Sequence, residues 1–407
     1  MTSLQTASGV PAYTRRQAVL VLIGTMLLSM VLGSIHAFSV LLPAMEKTFD
    51  ASRTQASLTY SFALIALSLA VLFGHRVYGK VSPAVFVMAT GLIAAAGCLV
   101  ASFGGSLALN WIGYSLLFGA ANGLGYGYAL QFSGQAVPAH NGFAMGAVTA
   151  AYAVGAVVAP VPLELALQAG GVTGALELMA AAIFIVAAAS ALLLAWSGAT
   201  YGHGSDNGAA PVVEVRSKTV IVLWVAYACS VTAGLMAIGH ATGIARSSGV
   251  SDWWVVAAPI VIALSNMVGS IFCGVLLDRI PGRPILCVLA VLSSGALFAM
   301  AALGSVGVTM AGLAVVGFIY GGTISVYPAF ISKCFGVVAG TVVYGRVFTA
   351  WAAAGLIGPA CAGMLFDLYA DYRIALLVAG GLGLGALVVL RMPDSEGGNV
   401  KQTVEGG

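Results

Sequence analysis

The chain has 407 residues, of which 60% are hydrophobic and only 7% are charged. A soluble domain carries roughly a quarter charged residues, so this composition excludes a soluble fold and indicates a membrane protein. The formal net charge is +3, and no basic patch with interleaved aromatic residues accompanies it, so nucleic acid is not expected as a partner. The partner that the composition predicts is membrane lipid.

Apolar runs of membrane-spanning length recur along the whole chain. A helix needs roughly 20 apolar residues to cross a bilayer core about 30 Å thick. The first run is too long for a signal peptide and lacks its small-residue cleavage site, so it is predicted to be a true span. The fold class is therefore an all-α membrane protein with twelve transmembrane helices, near 18–43, 56–78, 83–103, 107–134, 143–167, 173–197, 219–245, 254–277, 284–303, 306–333, 341–366 and 373–391.

A long polar break rich in Gly, Ser and Ala divides these spans six and six, as a flexible linker between two bundles does. We predict an N-terminus (1–17), a first six-helix bundle (18–197), a linker (198–218), a second six-helix bundle (219–391) and a C-terminal tail (392–407). Most Lys and Arg residues fall on the side of the two termini, which by the positive-inside rule is the cytoplasm. We therefore expect a multi-pass protein of the cell inner membrane with both termini cytoplasmic.

The two halves carry matching segments at an offset of about 200 residues. Gly74 after the second span corresponds to Gly274 after the eighth, and each opens a short turn with basic residues. TAAYAVGAVVAP at 149–160 corresponds to TAWAAAGLIGP at 349–359, and GLGYGYA at 123–129 to GTISVYPA at 322–329. Three matches in the same order indicate a duplicated, pseudo-symmetric six-helix unit.

Twelve spans, a central linker and the run GVLLDRIPGRP at 274–284 resemble the major facilitator superfamily, whose loop signature is a G-x-x-x-D-R-x-G-R-type run. The first half departs from the signature, because HRVYGK has no aspartate where the second half has Asp278. Within the superfamily, GSIHAFSVLLPAMEKTF in span one and YGRVFTAWAAAGLIGPACAGMLFD in span eleven are similar to the oxalate:formate antiporter and monocarboxylate transporter branch. The resemblance implies a secondary transporter working by alternating access, with a cavity between the bundles near the bilayer midplane.

A histidine lies deep in the first span. Two interpretations of His36 stay open: a buried imidazole bonded to a neighbouring carbonyl, or a substrate contact and proton carrier whose charge changes near neutral pH. The resembling family has an aromatic side chain there. His240, near the outer end of span seven, is expected to face interfacial water.

Polar and aromatic residues of spans four, five and ten supply further candidates. Tyr128 and Gln131 are three residues apart and share a helix face, with Tyr126 turned to the other side. We expect Tyr128 and Gln131 to line the cavity. Tyr152 and Tyr327 stand where the resembling family uses aromatic walls, which implies the same role for both.

The cations that the resembling oxalate carriers use are absent from this chain. Span eight has Asn266 with neighbouring serines in place of an arginine, and span eleven has Trp351 in place of a lysine. Oxalate is therefore rejected as the substrate, while Asn266 and Trp351 remain candidate substrate contacts.

The remaining cation is Arg346, early in span eleven. It either extends to the membrane interface or receives a substrate carboxylate at the inner mouth of the cavity with its planar fork. An ion pair with Glu164 or Glu177 is disfavoured, because both acids fall toward the opposite membrane face.

Chemistry-bearing motifs of enzymes are not found. The six cysteines show no metal-type spacing, and there is no Walker motif, nucleophile elbow or carboxylate cluster, so we expect no enzyme activity, metal or cofactor. The first hypothesis is transport of a monocarboxylate or similar small organic anion. The alternatives are uptake of a neutral planar nutrient such as a riboflavin-like vitamin, and a non-transporting membrane sensor. Protons or a counter-substrate could drive transport, and a monomer is expected from the resemblance.

Overall fold

A computed structural model describes residues 12–103, 105–202 and 217–392. These residues form twelve long helices, joined by short turns and a short helix, Ala241–Ser247, after the seventh. The long helices are α1 (Arg15–Thr48), α2 (Arg53–Gly74), α3 (Pro83–Ser102), α4 (107–136), α5 (Asn141–Val158), α6 (Pro160–Ser197), α7 (Ser217–Ile238), α8 (Asp252–Leu277), α9 (Gly282–Leu303), α10 (Val306–Phe335), α11 (Val337–Tyr369) and α12 (Arg373–Leu390).

The helices make twelve membrane passes. Ten helical stretches of the described chain are long and apolar enough to cross a bilayer. One of them, Pro138–Ser197, holds two passes separated at Gly171, and the more polar helix α4 supplies another. Large apolar side chains cover the outside of the helices, as lipid contact requires, among them Val85, Ile112, Leu116, Ile185, Leu192 and Val288. The prediction of an all-α membrane protein with twelve spans is confirmed.

Capping residues set where the first helices begin. Thr14 and Gln17 form a capping box at the start of α1, and Ser52 and Gln55 form another at the start of α2. In each box the hydroxyl and the amide side chain satisfy backbone N–H groups that have no partner within the helix. These polar pairs end the connecting turns at the membrane surface, and the apolar runs begin directly after them.

Two membrane helices depart from regular α geometry. In α1, residues Gly33–Ala37 wind as a 3₁₀ helix, and in α4, residues Trp111–Phe118 wind as a π helix. Gly171, at the turn between the fifth and sixth passes within the stretch labelled α6, has a positive φ of 63°, which a residue without Cβ adopts at little cost. Irregular turns inside membrane helices are often functional, and the break in α1 lies beside the central cavity.

The side of the membrane on which α1 begins and α12 ends is called the terminal face here, and the other side the distal face. Near the terminal face the two halves meet along two seams. In the α5–α8 seam, glycines of α5 approach the backbone of α8 around Ser270 and Gly274. In the α2–α11 seam, Gly345 of α11 lies against the backbone of Val71 and Leu72 in α2. Close backbone contacts of this kind depend on small residues.

Part of the predicted linker packs against α4. The Gly202 N–H donates to Gln135 Oε1 at 2.9 Å, and the ring of Tyr201 stacks on Tyr128 with centroids 5.2 Å apart. The rest of the predicted linker (203–216), the tail from 393 onward and the first eleven residues lie outside the described residues. The predicted division into two bundles with a linker and tails stays a prediction.

Candidate functional site

A cavity of about 360 Å³ lies between the two halves of the chain. Its lining comes from α1, α2, α4 and α5 on one side and from α7, α8, α10 and α11 on the other. Among the described residues that line it there is no Asp, Glu, Lys or Arg. Its aromatic lining residues are His36, Tyr60, Tyr126, Tyr152, Tyr320, Phe348 and Trp351.

The cavity extends toward the distal face and is closed toward the terminal face. Gly239 at the end of α7 and Pro259 near the start of α8 both line it and are exposed. Toward the terminal face the α5–α8 and α2–α11 seams bring the two halves together, and Gln131 Oε1 accepts a hydrogen bond from Thr341 across the interface at 3.0 Å. The structure therefore has the geometry of an outward-facing carrier, if the distal face is outside.

The 3₁₀ break in α1 presents His36 to the cavity. His36 Nδ1 and the Tyr60 hydroxyl of α2 share a hydrogen bond of 2.6 Å. The imidazole also meets Tyr152 and Trp351 edge-on, with centroids 5.4 and 6.2 Å apart. The bonded partner of His36 is thus a hydroxyl, whereas the simpler of the two sequence interpretations expected a carbonyl.

Asn122 of α4 holds the end of the regular part of α1. Its Nδ2 group donates to the Leu32 carbonyl at 2.7 Å, directly before the break. Its Oδ1 atom accepts from the Tyr152 hydroxyl at 2.9 Å. Gly33 adds to this arrangement by lying against the backbone of Tyr152. One buried amide therefore joins α1, α4 and α5 beside His36.

A second polar pair lies on the opposite wall. Trp351 Nε1 donates to the Tyr320 hydroxyl at 2.8 Å. Phe348 stacks on Trp351, with centroids 5.3 Å apart and an angle of 11° between the rings. Because the Tyr320 oxygen accepts the indole N–H, its own hydroxyl proton is available to a bound molecule.

Half of the predicted site residues line the cavity and half do not. His36, Tyr152, Asn266 and Trp351 line it. Asn266 lies one helical turn from Ser270, whose hydroxyl donates to Asn266 Oδ1 at 3.3 Å. Tyr128, Gln131, Tyr327 and Arg346 are not among the lining residues. The role of all eight in substrate binding stays a prediction.

The expected face of α4 was wrong. Tyr126 lines the cavity, whereas Tyr128 points between the rings of Phe86 and Tyr201 within the first half. Two residues correspond to about 200° on a helix, so the two tyrosines lie on opposite faces. Gln131 lies nearer the terminal face, where it bonds Thr341 instead of lining the cavity.

Tyr327 and Arg346 lie on the terminal side of the cavity. Tyr327 is seven residues beyond Tyr320 on α10, about 10 Å along the helix, and its ring packs on Tyr227 with centroids 4.3 Å apart. Arg346 is exposed near His75, which follows the end of α2. Burial lowers the pKa of His75 below its usual value, and Arg76 and Arg346 lower it further, against the opposing effect of the Leu72 carbonyl.

Several cavity residues were not singled out from the sequence. Tyr60 lies on α2, which was not expected to contribute, and Tyr320 and Phe348 were not considered. Asn122, which holds α1 beside the cavity, was not proposed as a site residue either. A polar residue within an apolar run was the available signal for Tyr60 and Tyr320. His240 is half-buried and not simply solvated, since Nε2 bonds the Pro359 carbonyl at 2.9 Å.

Twelve passes in one chain and a cavity between its halves, lined by aromatic side chains and a few hydrogen-bonding groups, define a membrane transporter of the alternating-access class. The family model of the Major Facilitator Superfamily matches residues 21–343, and the chain belongs to this superfamily. Its members are secondary transporters, so the chain is a multi-pass membrane transporter for a small molecule rather than an enzyme.

Known proteins are similar over most of the chain. The "uncharacterized MFS-type transporter YhjX" of Escherichia coli (strain K12) is 27% identical over 361 residues, covering 83% of this chain and 86% of that protein. The transporter FucP in the outward conformation aligns with a TM-score of 0.70 at 15% identity, over 92% of this chain and 99% of FucP. The proton:xylose symporter XylE, bound to 6-bromo-6-deoxy-D-glucose, aligns with a TM-score of 0.73 at 12% identity, over 92% and 95%. At these identities the structural likeness shows the fold alone.

Proposed function

We propose that the chain carries a small monocarboxylate or a similar small organic anion across the inner membrane by alternating access. One observation carries the proposal: two hydrogen-bonding pairs face the same cavity from opposite halves of the chain. The first pair is His36 with Tyr60, and the second is Trp351 with Tyr320. A solute held between them contacts both halves, which is what couples binding to their relative movement.

The polar groups of the cavity suit an anion better than a cation. Carboxylates accept hydrogen bonds and have none to donate. The Tyr320 hydroxyl has a free proton because its oxygen accepts from Trp351, and the Tyr60 and His36 pair offers donors across from it. No acidic side chain lines the described cavity, so no negatively charged side chain there repels an anion.

The same lining limits the charge that the cavity accepts. Burying an uncompensated charge is costly, and the described lining has neither Lys nor Arg. A dianion such as oxalate therefore meets too little positive charge. The sequence resemblance to the oxalate:formate antiporter and monocarboxylate transporter branch supports a small organic anion, and the absence of the branch's cations favours a single carboxylate.

Orientation and assembly complete the proposal. The excess of Lys and Arg on the terminal face supports a cytoplasmic location of both termini. The cavity then opens outward. We expect a monomer surrounded by lipid, since the site is formed within one chain.

Thermal stabilisation of the detergent-purified protein tests the proposal. Lactate, pyruvate, acetate and formate are compared with oxalate and with uncharged solutes. A ligand at a hundred times its dissociation constant adds about 2.7 kcal/mol of stability, which is readily detected. We expect stabilisation by at least one monocarboxylate and not by oxalate. Stabilisation by none of the carboxylates contradicts the proposal.

A matched pair of variants connects binding to the cavity. Tyr320→Phe removes the donor on the second wall, and we expect binding at least about tenfold weaker, because a hydrogen bond to a charged group contributes about 1.5–3 kcal/mol. Tyr128→Phe is the control, since that hydroxyl is buried outside the cavity without a partner in the structure. If the two variants bound the solute with equal affinity, the solute would not contact the Tyr320 hydroxyl.

A second candidate, a neutral planar solute, is supported by the aromatic walls. The parallel rings of Phe348 and Trp351, with Tyr126 and Tyr152 opposite, provide flat surfaces on which a ring can stack. Riboflavin tests this candidate in the same assay. Stabilisation by riboflavin, lost in Trp351→Leu and accompanied by no carboxylate response, would favour a vitamin carrier over the proposed function.

A further inference from the structure

A second cavity, of about 250 Å³, lies at the distal end of the second half and is called the distal pocket here. It is formed by the short helix after α7, the last turn of α9, the first turn of α10 and the start of α12. It shares no described lining residue with the central cavity. We propose that the distal pocket binds the headgroup of a zwitterionic phospholipid, one that carries a phosphate and a primary ammonium group. This site is independent of the solute that the central cavity carries.

Two opposite charges line the distal pocket without neutralising each other. Asp371 and Arg373 are both lining residues, and both are exposed. Asp371 Oδ1 accepts the backbone N–H of Arg373 at 3.1 Å, but neither side chain forms a salt bridge with any described residue. The carboxylate and the guanidinium are therefore both available to a ligand. A molecule with one positive and one negative group matches them, because charge-assisted hydrogen bonds are the strong ones.

One side of the pocket consists of hydrogen-bond acceptors, which suit an ammonium group. Ser247 Oγ donates to the Ile244 carbonyl at 2.9 Å, so its oxygen has only acceptor capacity left. Ser248 Oγ donates to the Ala245 carbonyl at 2.8 Å, with the same consequence. The end of α9 adds carbonyl groups that have no partner within the helix and carry its negative end. With Asp371, these oxygens can accept the three N–H donors of a primary ammonium group.

The groups at the start of α12 and α10 suit a phosphate. Arg373 is the first residue of α12, where the helix dipole is positive. A guanidinium can bind two phosphate oxygens at once. Thr309 of α10 is 2% exposed and lines the pocket, and no hydrogen bond joins its hydroxyl to another described residue. This hydroxyl is therefore available to donate to a phosphate oxygen of the ligand.

The place of the pocket in the membrane favours a lipid as the source of these groups. Its lining includes the last turn of α9, at the distal end of a membrane pass and hence at the level of the headgroups. Leu303 is a lining residue and is 67% exposed, so the polar pocket borders the lipid-facing surface. A phospholipid can place its headgroup in the pocket while its acyl chains cover the apolar surface beside it. Soluble phosphoethanolamine has the same two charged groups but no chains to bury there.

The internal repeat does not produce these charges in the first half. At the offset of 200 residues, Gly171 stands in place of Asp371, and Thr173 stands in place of Arg373. The Thr173 hydroxyl donates to the Ser102 carbonyl at the end of α3 at 3.3 Å, so it is satisfied within the protein. The charges of the distal pocket are therefore a feature of the second half and do not follow from the repeated architecture.

Thermal stability of the delipidated, detergent-purified full chain tests the site. Phosphatidylethanolamine, phosphatidylcholine and phosphatidylglycerol with identical acyl chains are titrated separately, and soluble phosphoethanolamine is a fourth probe. We expect phosphatidylethanolamine to raise the melting temperature most, because choline has no N–H donor and the glycerol headgroup has no ammonium. Equal effects of the three lipids would indicate an unspecific lipid shell and overturn the proposal. Soluble phosphoethanolamine that acts as strongly as the lipid would overturn the lipid as the source.

Three variants connect the lipid preference to the pocket. Asp371→Asn should abolish the preference for phosphatidylethanolamine over phosphatidylglycerol, since it removes the charge that compensates the ammonium group. This preference is a ratio within one variant, so it does not depend on that variant's own stability. Arg373→Gln should weaken binding of both lipids at least about tenfold, through loss of the phosphate contact.

The matched control is Arg246→Gln. Arg246 belongs to the short helix beside the pocket and is exposed, but it is not a lining residue. The substitution removes the same charge from the distal face as Arg373→Gln does, and we expect lipid binding as in the unaltered protein. A preference for phosphatidylethanolamine that persists in Asp371→Asn, or equal losses in Arg246→Gln and Arg373→Gln, would overturn the assignment of the distal pocket.

Discussion

The two seams that close the terminal side occupy corresponding places in the internal repeat, yet they are held differently. In the α5–α8 seam, the Asp278 carboxylate accepts hydrogen bonds from the Gly142 and Phe143 N–H groups at 2.9 Å each, at the start of α5. Lys333 lies 3.4 Å from the same carboxylate. In the α2–α11 seam, Tyr78 stands two hundred positions before Asp278 and bonds the Leu124 carbonyl within its own half.

The charges of the second seam are of one sign. The described basic side chains and histidine identified there are His75, Arg76 and Arg346, and Arg76 lies over the ring of Phe73 at 4.9 Å. One seam thus has a carboxylate that joins the halves, and the other has backbone packing with cations beside it. We infer that the α2–α11 seam opens more readily and that its closure depends on pH.

The largest expected effect is that of Asp278→Ala. The substitution leaves two N–H groups at the start of α5 without their partner and removes the carboxylate beside the Lys333 ammonium, which keeps its bond to the Leu277 carbonyl. Each unsatisfied buried group costs about 1–3 kcal/mol, so we expect a marked loss of thermal stability and an open α5–α8 seam. Labelling of Ser270→Cys by a membrane-impermeant maleimide from the terminal side measures the opening. The reporter is placed in a background without the native cysteines. Unchanged labelling would show that the carboxylate does not hold the seam.

A matched glycine pair compares packing in the two seams. A Cβ added at Gly146 would lie 2.5 Å from the Ser270 carbonyl oxygen, whereas one at Gly345 would lie 3.0 Å from the Val71 carbonyl oxygen. Overpacking costs about 1–3 kcal/mol, offset in part by the better helix propensity of alanine. We therefore expect Gly146→Ala to lower the melting temperature clearly and Gly345→Ala to change it little. The opposite order would mean that the second seam is the tighter one.

The smallest expected effect is the pH response of the α2–α11 seam. The pKa of His75 lies below its usual value of about 6.5, so the neutral ring belongs to the closed state. When the pH is above this usual pKa, the neutral His75 ring contributes fully to closure of the seam. The contribution is lost as the pH falls through the lowered pKa, because the ring then becomes a cation beside Arg76 and Arg346.

Buried serines in the two seams report this response. Maleimide reacts with the thiolate and therefore slows at low pH, so labelling of Ser68→Cys is expressed as a ratio to that of Ser270→Cys at the same pH. This ratio, measured from the terminal side, should rise between pH 7.5 and 5.5. His75→Gln should abolish the rise, and Arg346→Gln should reduce it. A rise that persists in His75→Gln would assign the response to another group.

Much of the fold could be predicted because the bilayer imposes it. Apolar runs of about 20 residues mark passes whatever their packing, and the matched segments around Gly74 and Gly274 indicate the internal repeat. The break at Gly33–Ala37 could not be predicted, because the Gly, Ser and His residues of that run do not by themselves specify a 3₁₀ turn. Its geometry depends on tertiary contacts with Asn122 and Tyr152.

The site was predicted only in part, because helix faces inside the bundle are hard to distinguish. Almost all residues of Gly119–Ala136 in α4 are buried, so no polar stripe separates the cavity face with Tyr126 from the packing face with Tyr128. His36 and Trp351 were found because each stands out in an apolar run or in a motif. Tyr60 and Tyr320 line the cavity because of the way that neighbouring helices pack together. The periodicity of a single helix gives no information about that packing.

The most direct test of the account is lactate counterflow in proteoliposomes that contain the purified chain. The account predicts saturable exchange of labelled lactate that is strongly reduced in Tyr320→Phe, which removes the hydroxyl donor beside Trp351. Tyr128→Phe should exchange as the unaltered protein does. Absence of exchange for lactate and the other monocarboxylates, with uptake of riboflavin by the same vesicles, would contradict the central claim.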